Sequence, residues 1–164
     1  DLVLMDVDLG SGPDGIDVAS AIKFQSPSVS IAFLTNVSEP RLAGKSSKHL
    51  PAGSAYLHKD RITDPEVLLQ AIEETARGRA RHLRDDLTSG HNLKKLSNSQ
   101  LETIRLLAAG KSNEEIAQLR GTTVRAVRLL LVRAYKQLGI DEQGGSERRV
   151  KAALEYIKAS GLPK

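Results

Sequence analysis

Leu2 to Met5 is an uninterrupted apolar run that ends at Asp6, and a turn segment carrying Gly10, Gly12, Pro13 and Gly15 follows it. A short apolar run bounded by turn residues predicts a buried strand, with Asp6 and Asp8 at its exit. The apolar positions then change spacing, and Ile16, Val18, Ala19, Ala21 and Ile22 predict a helix. "SVSIAFLT" predicts a second buried strand rich in β-branched residues, and "SAYLHK" a third short one. Between them, "EPRLAGKSSKHL" predicts a frayed helix that Pro51 and Gly53 end. Asp64 followed by Pro65 is a helix start, and the helix it opens buries Val67, Leu68, Ala71 and Ile72. Strands alternating with helices predict a parallel sheet. In such a sheet a carboxylate at a strand's carboxyl end stands where ligands bind.

Strand patterning stops after this. "RGRARHLRDDLTSGHNLKK" is polar, charged and punctuated by glycine, and reads as a helix end plus linker. Ser97 with Gln100, and Ser112 with Glu115, have capping-box spacing, each just ahead of an apolar-periodic run. They predict helices over about 98–109 and 113–119, with Gly110 ending the first. A third helix runs from Thr123 to Leu138 and stops at Gly139, its inward stripe being Val127, Leu131, Ala134, Tyr135 and Leu138. A fourth spans about 147–159. Two short helices joined by a tight turn, the second of them basic, describe a helix-turn-helix. The pattern divides the chain into an α/β domain over 1–80, a linker over 81–95, and a small all-α four-helix domain over 96–164.

Composition narrows the function classes. The 164 residues are 40% hydrophobic and 27% charged, enough apolar surface for one ordinary domain or two small ones. No run approaches the roughly 18 apolar residues of a membrane span, and no basic stretch opens the chain as in a secretory signal. With no cysteine, disulfides and thiolate metal sites are excluded, and a reducing cytoplasm fits. Asp1 is not an initiator methionine, so a processed chain or part of a longer one is expected. Charge is uneven: 12 Lys and Arg face 13 Asp and Glu up to Lys95, whereas 12 face 7 from Leu96 onward. Arg120, Arg125, Arg128, Arg133 and Lys136 all fall between Ile116 and Ile140, where no acid occurs. Such an electropositive element fits nucleic acid.

"LSNSQLETIRLLAAGKSNEEIAQLRGTTVRAVRLLLVRAYKQLGI", followed by "RRVKAALEYIKASGL", resembles the LuxR-type helix-turn-helix domain without a gap from Leu96 to Ile140. The first half then resembles the later part of a receiver domain, the phosphoacceptor module of response regulators in the NarL/FixJ group. The resemblance implies that Asp6 is the phosphorylated aspartate, Thr35 the hydroxyl that binds the phosphoryl group, Lys59 the lysine that pairs with a phosphoryl oxygen, and Tyr56 the switching aromatic. These residue types suit the chemistry: a carboxylate nucleophile forms an acyl phosphate, whose added charge needs a cation and a hydroxyl nearby. The family also uses Mg²⁺, here expected on Asp6 and the main-chain carbonyl of Asp8. The acidic pair that completes that site belongs to receiver strands upstream of Asp1, absent from this chain. An open sheet edge then invites swapped dimers through residues 1–60.

The resemblance further implies double-stranded DNA, a sensor histidine kinase and a second copy of the chain as partners, with no membrane. It places DNA contacts on Asn113, Thr123, Arg125, Arg128, Leu129, Val132, Arg133 and Lys136. The chain departs from the family pattern where Gly10 replaces a proline, Asn36 replaces a small residue after Thr35, and Ala126 and Leu130 replace a common threonine and histidine. Apolar Leu129 and Val132 on a groove-facing surface suit thymine methyls or a protein patch, so a regulator acting by protein contact without phosphorylation is the alternative. "MDVDLG" also matches the D-x-D of haloacid-dehalogenase phosphatases, with Asp6 as nucleophile and Asp8 as acid. Gly10 occupies a slot that motif fills with Thr or Val, and the helical half would have no role in such an enzyme. The reading is therefore a non-enzymatic transcription regulator of two-component signalling.

Overall fold

In a computed structural model that describes residues 1–45, 47–88, 90–140 and 144–161, the chain forms two compact units that part between residues 89 and 90. The first is α/β. Its strands β1 (Leu2–Met5), β2 (Ser30–Thr35) and β3 (Ala55–His58) make a parallel sheet in the order β1-β2-β3. Met5 pairs with Phe33, Phe33 with Tyr56 and Thr35 with His58, so the three carboxyl ends finish nearly level. Helix α1 (Gly15–Gln25) connects the first two strands, and α2 (Pro65–Ala76) follows the third. Asp14 and Asp64 cap these helices, each side chain accepting two backbone N–H groups of the first turn.

The core of this unit is the sheet interior. Ile31, Ala32, Phe33, Ala55 and Tyr56 are buried, and the Phe33 and Tyr56 rings meet with centroids 6.0 Å apart. The expected burial of the whole first strand does not hold: Met5 is buried, but Leu4 is 43% exposed. Among the described residues the strand pairs with β2 alone and so has one neighbour to cover it. The helix expected over 39–50 is instead two 3₁₀ turns, Pro40–Ala43 and Ser47–His49. Gly44, at φ +77°, closes the first turn after four residues. In α2 Ala71 and Thr75 are buried and Leu68 and Ile72 only half-buried, while Val67 in the first turn lines an open groove with Leu57 and Ile62.

The segment read as a linker, 81–95, carries short helical elements. A 3₁₀ turn (Ala80–His82) and the single-turn helix α3 (Asp85–Thr88) belong to the first unit, and a 3₁₀ turn (Asn92–Lys95) belongs to the second. Charge and glycine hid this, because the segment is held by buried Ala80, Asp86 and Leu93 rather than by a periodic stripe.

The second unit is all helical: α4 (Asn98–Ala108), α5 (Asn113–Leu119), α6 (Val124–Leu138) and α7 (Gly145–Ser160). Both capping boxes form, Ser97 with Gln100 and Ser112 with Glu115. Gly139, at φ +69°, ends α6. All five residues of the expected α6 stripe are buried. They pack against α4, which also receives α7, while α5 lies against α6.

Candidate functional site

Three side chains from three consecutive strand ends meet at the carboxyl edge of the sheet. Asp6 follows β1, Thr35 ends β2 and Lys59 follows β3. The Lys59 Nζ donates to Asp6 Oδ2 at 2.6 Å, and the Asp8 N–H donates to Asp6 Oδ1 at 3.2 Å. Partial burial would push the Asp6 carboxyl up, but hydrogen bonds from Lys59, from the Thr35 hydroxyl and from the Asp8 N–H outweigh it. With the lysine's charge, they hold the group below its ordinary value. The carboxylate is therefore ionised at neutral pH, and with 32% of its side chain exposed it is open to a reactant.

The backbone beneath Asp6 is fixed by glycine. The Gly15 N–H donates to the Val7 carbonyl at 2.9 Å. A Cβ on Gly15 would lie 1.8 Å from the Asp6 carbonyl oxygen, so no larger residue lets α1 start this close to the carboxylate's own peptide.

Tyr56 is not at the carboxylate. It is wholly buried, and its hydroxyl donates to the Val37 carbonyl at 2.7 Å. The Thr35 hydroxyl oxygen accepts the Val37 N–H at 3.2 Å, so Val37 carries one contact to each of the two expected switch residues. Burial, followed by the charges of Asp86, Glu39 and Asp6, raises the Tyr56 pKa and keeps the phenol neutral. Asp8 turns away, accepting the Gly10 N–H at 3.0 Å with its own carboxylate.

Asp6 and the Asp8 carbonyl offer two oxygens where Mg²⁺ demands near-octahedral coordination. Among the described residues no three His, Cys, Asp or Glu side chains stand together as a metal site, and Lys59 already occupies Asp6 Oδ2. These residues alone do not fit a magnesium ion.

The second candidate surface is on α6. The Thr123 hydroxyl caps this helix by accepting the Ala126 N–H at 3.2 Å. With the stripe at Val127, Leu131, Ala134, Tyr135 and Leu138 turned inward, Arg125, Arg128, Arg133 and Lys136 are exposed. Leu129 and Val132, 51% and 53% exposed, stand among these cations. Helical spacing puts 125, 128, 129, 132 and 136 on one face, with 133 beside it.

Two polar residues read as part of the nucleic-acid surface also hold the helical unit together. Arg120 donates to the Ser99 carbonyl at 2.7 Å, to the Ser99 hydroxyl at 2.6 Å and to the buried Thr103 hydroxyl, pinning the α5–α6 turn to α4. The Asn113 side-chain oxygen accepts from Arg149 of α7 at 2.8 Å, and the same guanidinium binds the Lys111 carbonyl at 2.8 Å. Linear charge counting could not find either clamp, because both partners lie many residues away.

No family model matches the chain. In sequence it is similar to the response regulator protein VraR of Staphylococcus aureus (strain Mu3), at 26% identity over 152 residues, 87% of this chain and 70% of that protein. In fold it is similar to RcsB from Salmonella enterica serovar Typhimurium, solved bound to promoter rprA in the presence of phosphomimetic BeF₃⁻. The TM-score is 0.50 at 22% identity, covering 93% of this chain and 74% of that one.

Proposed function

We propose that the chain, similar in sequence to the response regulator VraR, is a two-component response regulator of the NarL/FixJ type that takes a phosphoryl group on Asp6 from a sensor histidine kinase and thereby controls binding of α6 to duplex DNA. The observation that carries this is the meeting of Asp6, Thr35 and Lys59 at one sheet edge within hydrogen-bonding reach. RcsB, whose fold the chain shares, was captured with both a promoter and a phosphoryl mimic, which supports both halves of the reading. A dimer in the cytoplasm acting on a palindromic site completes it; no helix among the described residues is long and apolar enough to cross a membrane.

The chemistry follows from the side chains. An Asp6 oxygen attacks phosphorus as the donor's P–N bond breaks. The electron pair leaves with the imidazole, which takes up a proton from solvent. Lys59 exchanges its carboxylate partner for a phosphoryl oxygen, and the Thr35 hydroxyl is placed to donate to another. On α6, Arg125, Arg133 and Lys136 reach phosphates, and Arg128 reaches a guanine edge, with Leu129 and Val132 against thymine methyls.

The test gives the protein a phosphohistidine donor and Mg²⁺. An acyl phosphate on the peptide containing Asp6, absent from Asp6→Asn, is the expected result. A label elsewhere, or duplex binding that does not respond to salt, refutes the proposal. The exposure of Leu129 and Val132 favours a second reading, docking of a protein on α6, which competition between duplex and partner resolves.

A further inference from the structure

The chain segment after α2 lies along the outer edge of β3. The Tyr56 N–H donates to the Leu83 carbonyl at 2.7 Å, and Tyr56 forms a parallel bridge with Arg84. Two residues on, the His58 N–H donates to the Asp85 carboxylate at 2.9 Å. Arg61 binds the other Asp85 oxygen at 2.5 Å and the Thr88 hydroxyl at 3.2 Å. Arg84 and Asp86 add two parallel hydrogen bonds of 2.8 Å, with the Asp86 side chain wholly buried. An edge strand exposes a row of unpaired backbone groups. Here the chain's own continuation covers them, with a carboxylate taking over where its backbone turns into α3.

One short turn serves both this strap and the carboxylate site. Lys59 opens the 3₁₀ turn and holds Asp6, while Arg61 closes it and holds Asp85. The Ile62 N–H bonds back to the Lys59 carbonyl at 3.1 Å, so the turn moves as a piece. We propose that residues 83–88 are a strap whose hold on β3 is set by the state of Asp6. Phosphorylation, written above as P–O formation with P–N cleavage, places about 1.5 to 2 negative charges beyond the carboxylate. Lys59 follows them, the turn shifts, and Asp85 loses Arg61 and the His58 N–H. Six released residues add about 20 Å of reach to the chain leading into the helical unit. The trigger rests on Asp6 being the phosphoacceptor; the mechanical link from Lys59 to Asp85 does not.

Hydrogen exchange of the full chain tests the link first. Asp85→Ala is expected to speed exchange of the Tyr56 and His58 amides at least tenfold and to open the bond after Arg84 to trypsin, with α4 amides unchanged. Arg61→Gln supplies the same reading should Asp85→Ala fail to fold. Lys59→Met and Asp6→Asn, far from the strap in sequence, are expected to raise the same exchange several-fold. If Asp85→Ala leaves both amides protected, there is no strap; if Lys59→Met leaves them protected, the strap is not coupled to Asp6. Phosphotransfer is scored separately by mass on the intact protein. A labelled Asp6 with a protected strap overturns the proposal and spares the phosphoacceptor reading. An unlabelled Asp6 beside exchange-sensitive Lys59→Met overturns the trigger alone.

Discussion

Replacing Gly15 by alanine sets two effects of opposite sign against each other. Alanine is the better helix former by about 1 kcal/mol in a helix interior. It also restricts the unfolded chain, worth about 0.4–1 kcal/mol where the native backbone tolerates a side chain. Gly15 has no positive φ to forbid it, so propensity alone predicts a more stable protein. Sterics predict the reverse. The new Cβ would stand 1.8 Å from the Asp6 carbonyl oxygen, 2.9 Å from its carbon and 3.0 Å from Met5 Cγ, where ordinary contact begins at 3.4 Å. Going from 1.8 to 3.4 Å, the backbone must open by about 1.6 Å, and the Gly15 N–H bond to Val7 resists that. Overpacking of this kind costs about 1–3 kcal/mol, and backbone cannot escape as a side chain can. Propensity counts for little at the first helical residue, so the net loss is about 1–2 kcal/mol, a Tm drop of roughly 5–15 °C for a unit of this size. Urea unfolding followed through β2 amides is the assay, with a lower midpoint at unchanged slope expected. Asp6 labelling should fall as well. A Gly15→Ala protein as stable as the parent, labelled at the parent rate, would refute the reasoning.

Asp6 is held below its ordinary value, so its ion pair stabilises the fold above the unfolded aspartate pKa of about 3.9 and is lost as pH falls through the lower folded value. The urea midpoints of the parent and Asp6→Asn should accordingly converge below about pH 4, and a constant gap down to pH 2 would speak against the pairing. Arg120→Ala should destabilise the helical unit by about 1–3 kcal/mol and weaken specific DNA binding without changing its salt slope; a slope reduced by one would make Arg120 a phosphate contact instead. Arg128→Ala should cost about 1–3 kcal/mol on the specific site only, while Lys136→Ala should weaken all duplexes alike. Leu129→Asn should alter base preference at one position, and loss of a protein partner with unchanged DNA selection would assign α6 to docking.

The helical half was the more legible in sequence because its determinants are local. Ser97, Ser112 and Gly139 act within four residues of themselves, and the α6 stripe repeats at helical spacing. Of the carboxylate site, residue types and strand ends were readable, because Asp6, Thr35 and Lys59 each close an apolar run. What the sequence could not show was contact at long range. Asp85 and Arg61 are 24 residues apart, and Arg120 and Ser99 are 21. A polar segment held by such pairs carries no periodic signal and looks like a linker. Burial of Leu4 and Val67 was misread for a related reason: apolar type states a preference, while the position of the strand or turn decides how many neighbours arrive.

The same physics explains why both surfaces can act without disturbing their cores. Asp6, Thr35 and Lys59 hang from the ends of strands held by parallel backbone pairing in which their side chains take no part, so replacing one ionic partner of Lys59 leaves the sheet intact. The α6 face is likewise carried by a buried stripe on the opposite side, and its turn is fastened by Arg120 rather than by any residue exposed for binding. Affinity and fold therefore draw on different side chains of one helix. Charge changes on the outer face should shift salt dependence far more than they shift unfolding midpoints.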